Sequence, residues 1–356
     1  MPARPWTFAL VAAGLLAGAV TDARSEVRFL DHRGEVITLD SPPERVVTIV
    51  RSAPLLYFAI DQTAEHIAGM NHDSLQRYFT SGLYAELIPD MASIPATAAR
   101  DGFVPNVEAI LELNPDLIIQ WTHDPDIIEP LERVGLKVVG WQCCTEQDRR
   151  DYLTLSGYAT GRNDRAQMIL SLEDVANAAA KKRFGSFPEE KQVSALIIDK
   201  IDDQFRVVAN PSLNLSLSGV RNLAADGTSE WWRTVDAEQL LAWDPAMILI
   251  PSYVPELTPD ALFEHPILSA LGAVKARRVY KMPFFSRTPD APEIHLTAEW
   301  IGTVAHGSET AAEFRQSVAE TYRKIYGPEL TEDQIDRVLE TTQNAGSTSY
   351  QDLFQP

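Results

Sequence analysis

Apolar runs alternate with helix-like segments along most of the chain. A hairpin-like segment at 27–39 precedes a β-branched run from Arg45 to Val50, which leads through a Ser-Ala-Pro loop into the helical pattern LLYFAI. Further runs typical of buried strands lie at 66–69, 117–121 and 137–141. Buried strands that alternate with helices predict an α/β lobe with a mainly parallel central sheet.

A second α/β series follows, with strand patterns at 193–199, 247–251 and 278–282. Between the two series, Arg165 to Arg183 is rich in good helix formers, and Asn163 or Asp164 provides a cap. We therefore predict two α/β lobes joined by one long helix. The predicted boundaries are 26–161 for the N-terminal lobe, 162–184 for the helix, 185–342 for the C-terminal lobe with its helical tail, and 343–356 for a disordered end.

One segment of the first lobe is repeated in the second. A shift of 130 residues aligns PNVEAILELNPDLII at 105–119 with VDAEQLLAWDPAMIL at 235–249. The shift pairs equivalent residues: Asn106 with Asp236, Glu108 with Glu238, and Leu111 with Leu241. Each copy predicts a short capped helix that ends at a proline and precedes a buried strand. The alternative is a chance similarity between two helix–proline–strand units.

The N-terminus has the pattern of an export signal. Arg4 precedes an apolar stretch from Phe8 to Val20, which is short for a membrane span but typical of a secretory leader. Small residues at 17–19 and 21–23 follow. We expect a signal peptide at 1–23, a mature chain that begins near Val20 or Arg24, and no lipid anchor. A retained N-terminal membrane anchor is the alternative.

Composition narrows the range of ligands. Hydrophobic residues make up 45% of the 356 residues and charged residues 23%, as in a globular protein with a sizeable core. The formal net charge of −19 opposes binding to nucleic acid or anionic lipid. An anionic ligand would therefore need a local basic pocket.

The two cysteines, Cys143 and Cys144, are adjacent, so no disulfide framework is expected to hold the fold. We expect packed thiols or a pair at the end of a strand, with a strained disulfide between neighbours as the alternative.

The short motifs of hydrolases, zinc proteases and nucleotide-binding enzymes are absent, and the seven histidines lack the spacing of metal ligands. Their absence weakens the enzyme interpretation without excluding it, and each histidine is expected to be a packed or surface residue rather than a metal ligand. Ligands of α/β proteins collect at the carboxyl ends of parallel strands, where loops converge. Arginine and aromatic residues in those loops suit a bulky anionic ligand. The candidate binding residues are Arg51, Arg100, Trp121, His123, Tyr253, Phe285 and Arg287.

Several segments resemble the periplasmic solute-binding proteins of ABC importers for iron-siderophore, haem and vitamin B12, the class with two lobes joined by a rigid helix. They include PPERVVTIVRSAPLLYFAI, GFVPNVEAILELNPDLIIQW, VDAEQLLAWDPAMILI and HPILSALGAVKARRVYKMPF. The resemblance implies a binding protein rather than an enzyme, with no resident metal or cofactor. It also implies a ligand cleft between the lobes, a periplasmic location and a monomer. It also implies docking onto arginines of a permease dimer through Glu108 and Glu238.

The resemblance makes a ferric siderophore the expected ligand, supported by Arg51, Arg100 and Arg287. Two segments depart from the family pattern: Arg51 replaces a small residue or proline, and the stretch from Phe284 to Pro289 replaces a Trp-Asp-Arg-Pro-like sequence. Cobalamin, molybdate and haem, the last with His123 or Tyr253 as a ligand, are alternatives within the class. An exported hydrolase or metal-dependent enzyme is the alternative outside it.

Overall fold

A computed structural model describes residues 26–99, 102–143, 145–210, 213–225, 230–288, 290–307 and 311–354. The predicted signal peptide at 1–23 and the candidate residue Arg100 lie outside the described residues. In the described part of the chain, no helix combines the length and apolar character needed to cross a membrane.

The N-terminal lobe contains a parallel four-stranded sheet. Its strands are β3 (Val46–Thr48), β4 (Ile67–Met70), β5 (Leu117–Trp121) and β6 (Val138–Trp141), which follow a hairpin of β1 (Val27–Leu30) and β2 (Val36–Leu39). The order across the sheet is β4–β3–β5–β6, with every pairing parallel. All residues of β5 are buried, as expected for a central strand covered on both faces.

Helices surround this sheet. They are α1 (Ala53–Asp61), α2 (His72–Ser74), α3 (Leu83–Leu87), α4 (Val107–Glu112), α5 (Glu129–Arg133) and α6 (Glu146–Thr160). A π-helical turn covers Leu75–Phe79, and 3-10 turns cover Pro89–Ser93 and Pro125–Ile127. A capping box between Thr145 and Asp148 fixes the start of α6. The long helix α7 (Asn163–Arg183) then connects the two sheets.

The C-terminal lobe has a six-stranded mixed sheet. Its strands are β7 (Val193–Ile201), β8 (Phe205–Val208), β9 (Val220–Asn222), β10 (Trp232–Val235), β11 (Met247–Ile250) and β12 (Val279–Lys281). The order is β10–β8–β7–β11–β12, with β9 also paired to β7. Pairings among β7, β9, β11 and β12 are parallel, whereas β8 is antiparallel to both of its neighbours. The antiparallel edge adds strands that the sequence analysis did not predict.

The helices of this lobe include the chain's C-terminal tail. They are α8 (Leu213–Leu217), α9 (Ala237–Trp243), α10 (Pro259–Phe263), α11 (Gly272–Lys275), α12 (Leu296–His306), α13 (Ala311–Tyr326), α14 (Glu332–Val338) and α15 (Tyr350–Phe354). Short 3-10 turns cover Glu189–Lys191, Leu268–Ala270 and Phe284–Ser286.

The prediction of a disordered end at 343–356 is wrong for its described residues. Tyr350 and Phe354 are fully buried, and Trp300 Nε1 donates to the Tyr350 hydroxyl at 3.0 Å. Asn344 pairs with the backbone of β12, the last strand in the sheet order. Its side chain accepts from Lys281 N at 2.7 Å and donates to Lys281 O at 2.9 Å. Although the segment is mostly polar, burial of Tyr350 and Phe354 and the backbone hydrogen bonds of Asn344 hold it against the lobe.

The tail also reaches across to the N-terminal lobe. Arg337 on α14 forms a double ion pair with Glu86 on α3, with N–O distances of 2.7 and 2.6 Å. Beside it, buried Glu293 accepts hydrogen bonds from Tyr84 of the N-terminal lobe and from Tyr326 of α13. We call these five residues the clasp. It joins the lobes at a second place besides α7.

Candidate functional site

The loops after the parallel strands hold the charged and aromatic side chains of the candidate site. Arg51 follows β3, Trp121 ends β5, Tyr253 follows β11 and Arg287 follows β12. Carboxyl ends of parallel strands share one edge of their sheet, so each lobe presents its own group of these residues at one edge.

Arg51 combines a positive charge with an aromatic surface. Its guanidinium carbon lies 5.5 Å from the ring centroid of Phe103, a distance typical of a cation–π contact. Nη2 donates to Asp73 Oδ2 at 3.1 Å, whereas Nε finds no hydrogen-bond partner among the described residues and is shielded from solvent. The residue therefore keeps an unused donor.

A row of rings continues from Phe103. Its ring lies nearly perpendicular to that of Trp121 at a centroid distance of 6.1 Å, and His123 lies 6.5 Å from Trp121. Trp121 is mostly buried and His123 is exposed. Three candidate residues, Arg51, Trp121 and His123, are thus connected through Phe103, which the sequence analysis did not select.

Arg287 of the C-terminal lobe lies close to aromatic rings of both lobes. Its guanidinium carbon lies 5.2 Å from the ring centroid of Phe284 and 5.8 Å from that of Tyr78 in the N-terminal lobe. Burial, followed by the negative charge of Asp290, raises the pKa of Tyr78, while the charges of Arg287 and Arg51 act in the opposite direction. Both arginines therefore lie close enough to influence one phenol.

A hydrogen bond between the lobes lies at this edge. The hydroxyl of buried Ser52, the residue after Arg51, donates to Asp290 Oδ2 at 2.9 Å. Burial raises the pKa of Asp290, and the hydrogen bond from Ser52 partly offsets this effect. The contact fixes the loop after β12 against the loop after β3.

Tyr253 belongs to a separate cluster within the C-terminal lobe. Its hydroxyl donates to Asp199 Oδ2 at 3.1 Å, and Arg206 donates to both oxygens of Asp199 at 2.8 and 3.1 Å. Burial, then the negative charge of Asp199, raises the pKa of Tyr253. Arg206 lies 5.5 Å from the ring centroid of Trp232 and keeps 42% of its side chain exposed.

Sequence reasoning missed Asp199 and Arg206. Asp199 lies near the end of β7, the predicted strand VSALIID, so a charged residue in an otherwise apolar run was the available signal. Arg206 lies on β8, which was not predicted, and nothing in the local pattern indicated its role.

The structure does not place Phe285 in the site. Its side chain is fully buried and contacts Phe314 at a ring distance of 6.2 Å. Neighbouring Phe284 instead approaches Tyr84 at 4.8 Å and Arg287 at 5.2 Å. Adjacent residues of the 3-10 turn point to different surroundings, and the aromatic pair alone could not show which ring faces the loop.

The repeated segments are closely similar in structure. Asn106 accepts from Ala109 N at the start of α4, and Asp236 accepts from Gln239 N at the start of α9. Glu108 and Glu238 occupy the first turn of each helix, and both are exposed. They lie outside both arginine clusters, in positions open to another molecule.

Cys143 follows β6 and is disulfide-bonded, so packed free thiols were the wrong expectation. The sequence contains one other cysteine, Cys144, which lies outside the described residues. Within the described ranges, no three His, Cys, Asp or Glu side chains are grouped as metal ligands.

Comparisons with known proteins agree on one family. The periplasmic binding protein family matches residues 96–284, more than half of the chain. The molybdate-binding protein MolA of Haemophilus influenzae is 22% identical over 355 residues, which cover 92% of this chain and 99% of MolA. The iron(3+)-hydroxamate-binding protein FhuD of Bacillus subtilis is 26% identical over 188 residues, which cover 50% of this chain and 58% of FhuD.

The fold is shared with solved structures. A periplasmic solute binding protein from Veillonella parvula DSM 2008 superposes with a TM-score of 0.80 at 22% identity, covering 91% of this chain and 99% of that one. This likeness confirms the predicted α/β architecture of two lobes. Together with the family match, it shows that the chain belongs to the periplasmic binding proteins, the class that serves ABC importers.

Proposed function

We propose that this protein is the periplasmic receptor of an ABC importer for a ferric chelate of the siderophore type. It captures the chelate between its lobes and passes it, chemically unchanged, to a membrane permease. The observation that carries the proposal is the pairing of arginines with aromatic rings in both lobes: Arg51 over Phe103, Arg287 over Phe284 and Tyr78, and Arg206 over Trp232.

This pairing suits a large anion with apolar edges. Guanidinium groups donate to carboxylate, hydroxamate or catecholate oxygens, while neighbouring rings cover hydrocarbon. The chain carries a formal charge of −19, so an anionic ligand needs local cations such as these arginines to draw it to the cleft.

Molybdate is the second candidate, because a relative that covers 92% of the chain is named for binding it. A small oxyanion is best held by donors that converge on one point. Here the rings extend in a row from Phe103 to Trp121 and His123 at spacings of 6.1 and 6.5 Å, which favours a larger ligand.

Haem held by Tyr253 is less well supported. Iron ligation by tyrosine uses the phenolate, and burial raises the pKa of Tyr253 and so disfavours that form. Its hydroxyl is also engaged by Asp199 at 3.1 Å. We therefore assign Tyr253 to positioning Asp199 and Arg206 rather than to binding a metal.

The proposal includes export and a membrane partner. The leader-like residues at 1–23 would direct the chain to the periplasm, where the relatives act, and the binding protein would work there as a monomer. The exposed carboxylates of Glu108 and Glu238 would contact the permease dimer.

Isothermal titration tests the ligand with a panel of ferric hydroxamate, ferric catecholate, ferric citrate, haem, cobalamin and molybdate. We expect one ferric chelate to bind at micromolar or lower Kd. Replacing Arg51→Gln or Arg287→Gln should weaken it by roughly tenfold or more, the scale of a charged hydrogen bond. Arg133→Gln is the matched control, because Arg133 is exposed and pairs only with Glu129 of its own helix among the described residues.

Saturable binding of molybdate, with no response to any ferric chelate, would contradict the iron assignment. Wild-type affinity in both arginine variants would contradict the site, even if a ferric chelate binds.

A further inference from the structure

The ring of Tyr84 contacts both aromatic partners of Arg287. The Arg287 guanidinium carbon lies 5.2 Å from the ring centroid of Phe284 and 5.8 Å from that of Tyr78. The ring centroid of Tyr84 lies 4.8 Å from that of Phe284 and 6.1 Å from that of Tyr78. One ring therefore supports an aromatic surface to which both lobes contribute.

The hydroxyl of Tyr84 is held by Glu293, which lies six residues after Arg287 in the same loop. It donates to Glu293 Oε1, and the Tyr326 hydroxyl donates to Oε2 at 2.6 Å. Both Glu293 and Tyr84 are buried, so loss of their bond would leave a carboxyl oxygen without a partner, which is costly. The bond therefore favours a single position for the Tyr84 ring.

The side chain of Arg287 depends on the rings for its orientation. Within the described ranges, its guanidinium forms no hydrogen bond or ion pair, and it rests on Phe284 and Tyr78. A long arginine side chain has many rotamers to lose when a ligand fixes it. Packing on two rings restricts those rotamers in advance, while the donors stay unused.

We infer that Tyr84 and Glu293 are positioning residues for ligand capture. Acting through the two rings, they fix the direction in which Arg287 presents its guanidinium to the chelate. This inference rests on the proposed function, in which Arg287 contacts the chelate. A guanidinium already held in its bound orientation loses less conformational freedom on binding, so the affinity is higher. Tyr84 and Glu293 belong to different lobes, so this orientation also depends on the contact between the lobes.

The first measurement uses the ligand-free protein and the Nε–Hε NMR signal of Arg287, assigned by its loss in Arg287→Gln. The two rings should displace this signal through their ring currents. Tyr84→Phe keeps the ring but removes its hydroxyl, and it should move the signal towards that of an unrestrained arginine. Tyr280→Phe is the matched control, because it removes a buried hydroxyl that donates to Thr348 O at 3.1 Å; it should leave the signal unchanged.

The second measurement titrates ferric hydroxamate, ferric catecholate and ferric citrate into each variant. For the chelate that the wild type binds, Tyr84→Phe should raise the Kd by roughly threefold to tenfold. In the Arg287→Gln background it should add no further loss, because the group that Tyr84 positions is gone. Glu293→Leu removes the acceptor itself and should reproduce the effect of Tyr84→Phe. Tyr280→Phe should bind like the wild type.

An unchanged Arg287 signal in Tyr84→Phe would overturn the inference and leave the proposed function standing. Wild-type chelate affinity in Tyr84→Phe would do the same, as would an equal loss of affinity with and without Arg287, since the hydroxyl would then act elsewhere. If the wild type binds none of the three ferric chelates, the proposed function fails and the role in capture fails with it. The ligand-free NMR measurement distinguishes these two kinds of failure.

Discussion

Glu340 shows how a single side chain outside the ligand loops can influence the site. It follows α14 in the left-handed conformation, with φ 54°. Burial raises the pKa of Glu340 to about 7, although the charges of Lys281 and Arg287 act to lower it. Burial also lowers the pKa of Lys281 to about 8. Near neutral pH, Glu340 therefore changes charge close to the candidate residue Arg287.

The pH dependence of stability tests this assignment. A carboxyl group with a raised folded-state pKa stabilises the fold below its unfolded pKa and loses that contribution as pH rises through the folded value. The usual pKa is 4.5 and the folded value about 7. We expect the free energy of unfolding of wild type, minus that of Glu340→Gln, to fall between these pH values and then level off.

The expected slope is about 1.4 kcal/mol for each pH unit in that interval. Urea denaturation of both proteins at a series of pH values measures the difference, and the subtraction removes other groups such as buried His295. Parallel stability curves across the interval would contradict the raised pKa.

At the scale of elements, apolar runs predicted β3, β5, β6, β7, β11 and β12, because a buried parallel strand leaves a continuous hydrophobic signature. The antiparallel strands β8 and β10 lack it, because buried residues alternate with partly buried ones in β8, and three of the four residues of β10 are partly or fully exposed. The orientations of loop side chains were harder to predict than the strands. The pattern located Phe284 and Phe285 in one loop, but only the packing of Phe314 determines which ring is buried.

The two repeat helices should depend on their caps to different extents. Asp236 Oδ1 accepts from Gln239 N at 2.8 Å, whereas Asn106 Oδ1 accepts from Ala109 N at 3.5 Å. Asp236 also adds a negative charge at a helix N-terminus. We expect Asp236→Ala to cost about 1 to 2 kcal/mol of unfolding free energy and Asn106→Ala about half as much or less.

Chemical denaturation of the two variants measures these costs. A larger loss for Asn106→Ala than for Asp236→Ala would contradict the cap geometry, and a loss in neither would show that tertiary packing alone holds both helices.

For the whole molecule, the clasp and α7 together restrict how the lobes move. Glu86 and Arg337 are each more than 40% exposed, so their ion pair is expected to contribute little to stability. The buried contacts of Glu293 with Tyr84 and Tyr326 should contribute more, because a buried carboxyl deprived of a partner is costly. Capture would then involve small movements of the lobes rather than wide opening.

Distances between spin labels at exposed Leu30 and Ile267, one in each lobe, test this restriction. We expect a narrow distribution in the wild type and a broader one when Tyr84→Phe is combined with Arg337→Ala. Arg133→Ala, which removes an ion pair inside one lobe, should leave the distribution unchanged. A broad wild-type distribution, or no effect of the combined variant, would show that the clasp does not restrain the lobes.

Native mass spectrometry of the mature protein, mixed with the same ferric and molybdate panel, tests the central claim most directly. Our account predicts one intact ferric chelate per monomer, with both metal and chelator retained and the mass of the chelate unchanged. A molybdate adduct without any ferric complex, or a chelate released with an altered mass, would contradict it.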